Sequence, residues 1–339
     1  MTAPYVQYNR RFPSDWQDRG IPAGQEGVFL SVFKEPDYGS VQTQEGVGKV
    51  YSLESHARGY LIFSMFVFGT VGLFVHYIPL PSSIIALSRA SLGAVFLFLL
   101  VRFRHMPISK EQIRHNLKLL IVSGICIGIN WILLFEAFRH TTLAIASICY
   151  YMAPVFVILV SPVLLHEALT VRKVICVLLA LLGMVFVSGI FENGLSGITD
   201  LSGVFFALGA AVFYASVIVC NKKFSPISAY DETIIQLAAA AVVLLPYTLI
   251  TENWSALSCT PFQFFLLLVL SLFVTGFAYA LFFGSMGYLK AQTVAILTYI
   301  DPIVAVFLSA LFLQEPLAVS TIIGAVLILG STLISELKA

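Results

Sequence analysis

Charged residues are scarce in this chain. Asp, Glu, Lys and Arg together make up 11% of its 339 residues, against about a quarter in a soluble domain. The net charge is +1, so there is no basic footprint and no nucleic-acid partner is expected. Cysteine supplies no framework either. Cys126, Cys149, Cys176 and Cys220 stand singly in or at the ends of apolar blocks, and Cys259 is alone in a loop. A thiol in such a block behaves as a small hydrophobe, so neither a disulfide scaffold nor a metal site is expected. No phosphate-binding Walker sequence is present, which excludes ATP as the direct energy source. His166-Glu167 opens like a zinc-protease motif, but Thr170 occupies the position of its second histidine. No catalytic residue and no cofactor are therefore assigned.

Apolar residues are abundant, at 59% of the chain. They fall in blocks of about twenty, the length needed for a helix to cross a hydrocarbon core of roughly 30 Å. Ten spans are expected, at 60–78, 84–101, 117–138, 143–165, 172–190, 201–221, 231–250, 262–285, 290–313 and 317–335. All must be helices, because the bilayer interior offers no water to unpaired backbone groups. Residues 1–57 are mixed polar sequence with Pro4, Pro13, Pro22 and Pro36. They read as a disordered cytoplasmic tail with one apolar patch, Val28 to Phe33. The first apolar block begins near Tyr60, after a tail too long for the basic leader of a signal peptide.

The chain carries one unit twice. Tyr151-Met-Ala-Pro154 is followed thirteen residues on by Glu167, and Tyr299-Ile-Asp-Pro302 by Glu315 at the same distance. A shift of 148 also superposes Gly128 on Gly276, Phe135 on Phe283, Ile148 on Ile296, Ser161 on Ser309 and Leu169 on Leu317. The repeats are placed at 58–191 and 192–339. Five spans per repeat is odd, so the second copy must enter the membrane from the opposite face. Charge agrees. The connector 102–118 carries Arg102, Arg104, Lys110, Arg114 and Lys118, while its counterpart at 251–261 has no Lys or Arg. Cations favour the cytoplasmic side. With both termini cytoplasmic, Arg172, Lys173, Lys222, Lys223, Lys290 and Lys338 also lie inside, and only Arg139 lies outside. The expected fold is thus all-α integral membrane: ten transmembrane helices as two inverted five-helix repeats, with a cavity between the halves near the midplane.

At this point the chain resembles the drug/metabolite transporter superfamily, in its EamA-type group of ten-helix proteins. The resemblance rests on the aromatic-x-x-Pro of the fourth and ninth spans, on Glu167-Ala-Leu and Glu315-Pro-Leu at their ends, on the glycines of the fifth and tenth spans (Gly183, Gly189, Gly324, Gly330) and on Arg89. It covers about residues 60–335. It implies a central cavity lined by helices 1–4 and 6–9, with helices 5 and 10 as peripheral scaffold. Phe68-Gly69-Thr70 departs from the family, where a tryptophan often stands in the first helix.

Asp301 is the sharpest candidate residue. It lies about eleven residues into the ninth span, near mid-bilayer on a rise of about 1.5 Å per residue. A carboxylate there costs several kcal/mol unless protonated, paired or wet. It reads as an anchor for a substrate amine, as a proton site, or as a structural carboxyl at the Pro302 kink. Arg89 reads as an anchor for a substrate carboxylate or as one half of an ion pair with Glu136. Glu136 can equally pair with Arg139 one turn on. Asn130, Trp131, its repeat mate Tyr279, Tyr151, Tyr214 and Tyr299 are aromatic and polar candidates for the cavity wall, or for packing between helices. Pro154 and Pro302 each remove a helical hydrogen bond and favour a kink suited to gating. Glu167 and Glu315 end their helices at opposite faces. They are expected to bond free backbone donors at the start of the next helix. Gly124-x-x-x-Gly128 reads as close packing within the bundle.

The function expected is secondary transport of a small organic metabolite, an amino acid or similar and drug-like at the limit, by alternating access and in the export direction across the plasma (inner) membrane. Its partners are that solute and the lipid bilayer. Proton coupling and facilitated diffusion stay open, as does oligomeric state. The alternative within transport is a nucleotide-sugar or phosphate-metabolite carrier, which calls for several cations. The alternatives outside it are an integral membrane enzyme, which needs paired catalytic groups at matched depth, and a receptor, which usually carries a soluble domain.

Overall fold

The computed structural model describes residues 44–141, 143–187, 201–253, 258–312, 314 and 319–336. Glu315, Gly189 and most of the N-terminal tail lie outside the described residues. The described chain is helical throughout, with no strand. The first span comprises α1 (Gln44–Gly69) and α2 (Val71–Tyr77), and the second and third are α3 (Ser82–Phe103) and α4 (Lys110–His140). The fourth is divided into α5 (Leu143–Tyr150) and α6 (Ala153–Leu164), and the fifth is α7 (Val171–Val187). In the second repeat the sixth and seventh spans are α8 (Leu201–Lys222) and α9 (Ala229–Thr251). The eighth runs through α10 (Pro261–Val269), a π-helical segment (Leu270–Phe277) and α11 (Ala278–Met286). The ninth is divided into α12 (Ala291–Leu297) and α13 (Ile300–Phe312), and the tenth is α14 (Val319–Glu336). Among the described residues, seven helices are long and apolar enough to cross a membrane, and shorter apolar helices lie at Ala153–Leu164 and Val319–Ser331.

The first helix begins earlier than expected, at Gln44 rather than near 60. Once the apolar run has nucleated a helix, each added residue gains one hydrogen bond, and residues 44–57 contain no proline. Packing also starts before residue 60, since Ala57 and Leu61 are buried.

Packing repeats with the sequence. α4 packs on α8 and α9, and its counterparts pack likewise: α11 on α1, the π segment on α3. α5 and α6 pack on α8, and α13 on α1. The fifth and tenth spans pack on each other as α7 and α14. Exchanging each span with the one five later reproduces these contacts, which is the behaviour of a pseudo-two-fold axis. Two aromatic pairs lie on that axis, because repeat mates touch each other. Trp131 and Tyr279 meet edge to face at 6.2 Å between ring centroids. Tyr151 and Tyr299 meet at 6.3 Å, with the Tyr299 hydroxyl donating to the Tyr151 carbonyl at 3.0 Å.

The backbone repeats in finer detail. Both long spans break one turn ahead of their prolines, at Tyr151–Met152 and Thr298–Tyr299. Both leave α6 and α13 through a residue in the left-handed region, His166 at φ 54° and Gln314 at φ 55°, again 148 apart. Pro154 and Pro302 therefore open new helices rather than bend continuous ones. In a first turn the missing N–H has no intrahelical partner to lose.

Gly124 and Gly128 pack within the bundle as expected. A Cβ on Gly124 would meet the Gln236 carbonyl at 2.5 Å, and one on Gly128 would meet Val243 at 2.9 Å.

Candidate functional site

Six polar side chains gather around the breaks in the fourth and ninth spans and the π segment. Arg89, Tyr150, Tyr151, Tyr214, Tyr279 and Asp301 are each surrounded by protein. Each nevertheless keeps some accessible surface. Their electrostatic interactions with one another make them one cluster.

Arg89 projects from α3. Its Nε donates to Thr275 Oγ1 at 2.8 Å, and its Cζ lies 5.0 Å from the centroid of the Trp131 ring. A guanidinium over an indole face at this distance is a cation–π contact. Thr275 belongs to the π segment, where its hydroxyl donates to the Leu270 carbonyl five residues back at 3.1 Å. The wide π turn thus presents a side-chain oxygen to Arg89, a common use of such turns at functional sites. Arg89 interacts electrostatically with Asp301, Tyr279 and Tyr150, yet no direct ion pair joins it to Asp301 among the described residues.

Asp301 stands in the first turn of α13, just past the break. A helix N-terminus favours an anion there. Its carbonyl closes on Gly69: a Cβ on Gly69 would lie 3.0 Å from that oxygen and 2.6 Å from Val304. Glycine is required at this point for the first span to approach α13.

The aromatic rings form two groups. Phe68 meets Tyr279 at a tilt at 4.8 Å, and Tyr279 meets Phe283 at 5.2 Å. Tyr150 meets both Tyr151 and Tyr214 at 5.7 and 5.8 Å.

Some expected positions fall elsewhere. The Arg89–Glu136 pair does not form. Glu136 Oε1 accepts from Arg139 at 3.1 Å and from the Tyr247 hydroxyl, and Arg139 bonds Glu252 at 2.9 Å. This network ties the ends of α4 and α9 together, with Glu136 and Arg139 one turn apart as intrahelical spacing allows. Tyr299, expected on the cavity wall, is fully buried at 0% exposure. Asn130 is buried and donates to the Ala210 carbonyl at 2.6 Å, locking α4 to α8 while it also contacts Tyr150. Glu167 does cap a helix, but not the next one. It accepts from Ala291 N at 2.8 Å and Gln292 N at 3.3 Å, the start of α12 in the other repeat. Gln292 in turn donates to Ser161 at 2.7 Å. Glu315 lies outside the described residues.

Sequence reading named Phe68 only as a departure from the family, and missed Tyr150 and Thr275. Tyr150 adjoins Tyr151, which it had singled out. Thr275 depends on a π turn, for which the sequence carries no local signal.

The fold defines an all-helical, multi-pass membrane protein of two inverted repeats. The chain matches the EamA-like transporter family over residues 58–189 and again over 201–336, and it belongs to that family of transporters. It is 30% identical over 262 residues to the uncharacterized transporter YxxF of Bacillus subtilis, covering 74% of this chain and 80% of that one. It is 27% identical over 168 residues to the pseudopaline exporter CntI of Pseudomonas aeruginosa, covering 49% of this chain and 56% of that one. A solved crystal structure shares its fold at a TM-score of 0.72 and 16% identity, over 83% of this chain and 97% of that one.

Proposed function

We propose that the chain is a secondary transporter for a small organic metabolite carrying both an amine and a carboxylate, such as an amino acid or a derivative of one. The observation that carries this reading is a buried cluster with a cation and an anion held apart. Arg89 and Asp301 interact without pairing, and Arg89 lies over the Trp131 ring. Two opposite charges that share a buried space and stay separate are matched by a solute that bridges them. Arg89 takes its carboxylate, with the N-terminus of the half-helix α6 as a second source of positive potential. Asp301 takes its amine, and the rings of Phe68, Trp131 and Tyr279 cover its apolar part. A phosphate-bearing solute calls for several cations, and Arg89 supplies one positive charge.

Transport proceeds by alternating access between repeats 58–191 and 192–339, with the helix breaks before Pro154 and Pro302 as hinges. The distribution of Lys and Arg supports a plasma (inner) membrane protein with both termini cytoplasmic. Export is the direction favoured, in keeping with the exporter among its relatives. Asp301 exchanges a proton for the substrate amine, so coupling and binding use one carboxylate.

The test compares, by untargeted mass spectrometry, the media of cells expressing wild type and Asp301→Asn at equal membrane levels. A zwitterionic metabolite enriched only by wild type is the expected result. Unchanged transport and pH profile in Asp301→Asn would remove both roles from this residue.

A further inference from the structure

A second polar cluster lies outside the cavity. Glu232 and Gln236 sit one turn apart on α9, and both are buried, at 6% and 0% exposure. Gln236 Nε2 donates to Asn221 Oδ1 on α8 at 2.9 Å, and Asn221 Nδ2 donates to Ser123 Oγ on α4 at 3.2 Å and to the Val217 carbonyl at 2.7 Å. A hydrogen-bonded chain thus crosses three packed helices and ends on a carboxyl. Among the described residues, two acceptors in it have no hydrogen-bond donor: Glu232 Oε1 and Gln236 Oε1. A buried acceptor without a donor is left with its loss of hydration uncompensated, and an unpaired buried carboxylate is more costly still.

The charged groups nearby are committed elsewhere. On α9, Asp231 accepts from Ser109 N at 3.4 Å. On α8, Lys222 Nζ donates to the carbonyls of Met286 and Leu289 at 3.1 and 2.6 Å. On α3, Arg89 bonds Thr275, and Arg102 is exposed. On α4, Lys110, Glu111, Arg114, His115 and Lys118 are exposed or only partly buried, and Glu136 and Arg139 form the network described above. α11 carries no charged residue. The neighbour that interacts with the Glu232 carboxyl is Gln236.

One added proton resolves both defects. It removes the charge and turns the carboxyl into a donor one helical turn from Gln236 Oε1. We propose that Glu232, with Gln236, Asn221 and Ser123, forms a proton-binding site separate from the Arg89–Asp301 cavity. The cluster joins α9, α4 and α8, and the next residue on α8 is Lys222, which holds the end of α11. Loss of the proton recharges the cluster and loosens this junction, which links proton exchange at one membrane face to movement of the helices around the cavity.

The test is infrared spectroscopy of the purified full-length protein at neutral pH, read in the carbonyl-stretch region of protonated carboxyl groups. Wild type is expected to show such a component that persists in Asp301→Asn and disappears in Glu232→Gln. Gln236→Leu, which keeps the carboxyl and removes its acceptor, is expected to shift that component to higher frequency. This second variant decides the matter if Glu232→Gln does not fold. A spectrum unchanged by Glu232→Gln and Gln236→Leu, or one showing Glu232 only as an ionised carboxylate, overturns the proposal. Because Asp301→Asn is read in the same experiment, failure here is distinct from failure of the cavity reading.

Discussion

The fourth and ninth spans are copies of one unit, and they occupy different surroundings. In α12 every residue from Ala291 to Leu297 is buried. In α5, Ala146 is buried, but Ser147, Cys149 and Tyr150 keep accessible surface. Tyr299 is sealed, and its mate Tyr151 keeps accessible surface. Ile303 is buried where Val155 is half-buried. Their backbones nevertheless agree, from the break before each proline to the left-handed residue at each helix end. Similar sequence therefore fixes the path of the chain, and cross-repeat contacts fix what each copy does. Glu167, Gln292 and Ser161 hold α12 shut against α6. Lys222 from the sixth span closes the end of α11 beside it. The position equivalent to Lys222 in the first repeat is Phe74, which has no cation to offer. One face is thus tied by polar bonds that its partner face lacks the residue to copy in full.

The strongest way to break this comparison is at the cavity itself. Arg89→Ala is expected to weaken substrate binding on the order of 100-fold, because it leaves a desolvated anion without its partner. The check is substrate uptake or binding in proteoliposomes at matched protein levels, with chromatography confirming the fold. The next effect falls on the sealed copy. Glu167→Ala removes two bonds between a carboxylate and backbone N–H groups, and should lower stability by about 2 kcal/mol. Thermal unfolding in detergent measures it, and retention of wild-type stability would show that α12 is held by packing alone.

A smaller and sharper contrast comes from the axial tyrosines. Tyr299→Phe loses one buried hydrogen bond and should cost about 1 kcal/mol of stability, with transport retained. Tyr151→Phe removes a hydroxyl that interacts with Asp301, Tyr150 and Tyr214, and should alter transport and leave stability within about 0.5 kcal/mol of wild type. Equal effects of the two on either readout would erase the distinction between the copies. The smallest effect belongs to the helix ends. His166→Gly and Gln314→Gly relieve left-handed backbone worth about 1–2 kcal/mol but add freedom to the unfolded chain. Each should change stability by about 0.5 kcal/mol or less, and the two should match each other.

Much of the architecture was legible in the sequence because it depends on local signals. Apolar length set the spans, and the shift of 148 aligned the halves. The i to i+3 spacing allowed Glu136 to choose Arg139. What was not legible depends on contacts between distant parts of the chain. Glu167 finds its donors 124 residues away, so the helix that it caps could not be read from its neighbours. The prolines marked the right places but suggested bends, whereas the chain breaks a turn earlier and uses each proline to start a helix. Nothing local announced the π turn that brings Thr275 to Arg89. The helical residues from Gln44 onward were read as tail because they are polar, although helix propagation does not require an apolar face.

The central claim is that Arg89 and Asp301 bind one solute between them. It is tested most directly by screening small solutes for thermal stabilisation of the purified protein, in wild type, Arg89→Ala and Asp301→Asn side by side. A ligand at about 100 times its Kd adds about 2.7 kcal/mol to the stability of the protein that binds it. The account predicts that compounds bearing both an amine and a carboxylate stabilise wild type, and that each substitution alone removes the effect. Stabilisation by solutes that lack either group, retained in both variants, would contradict it.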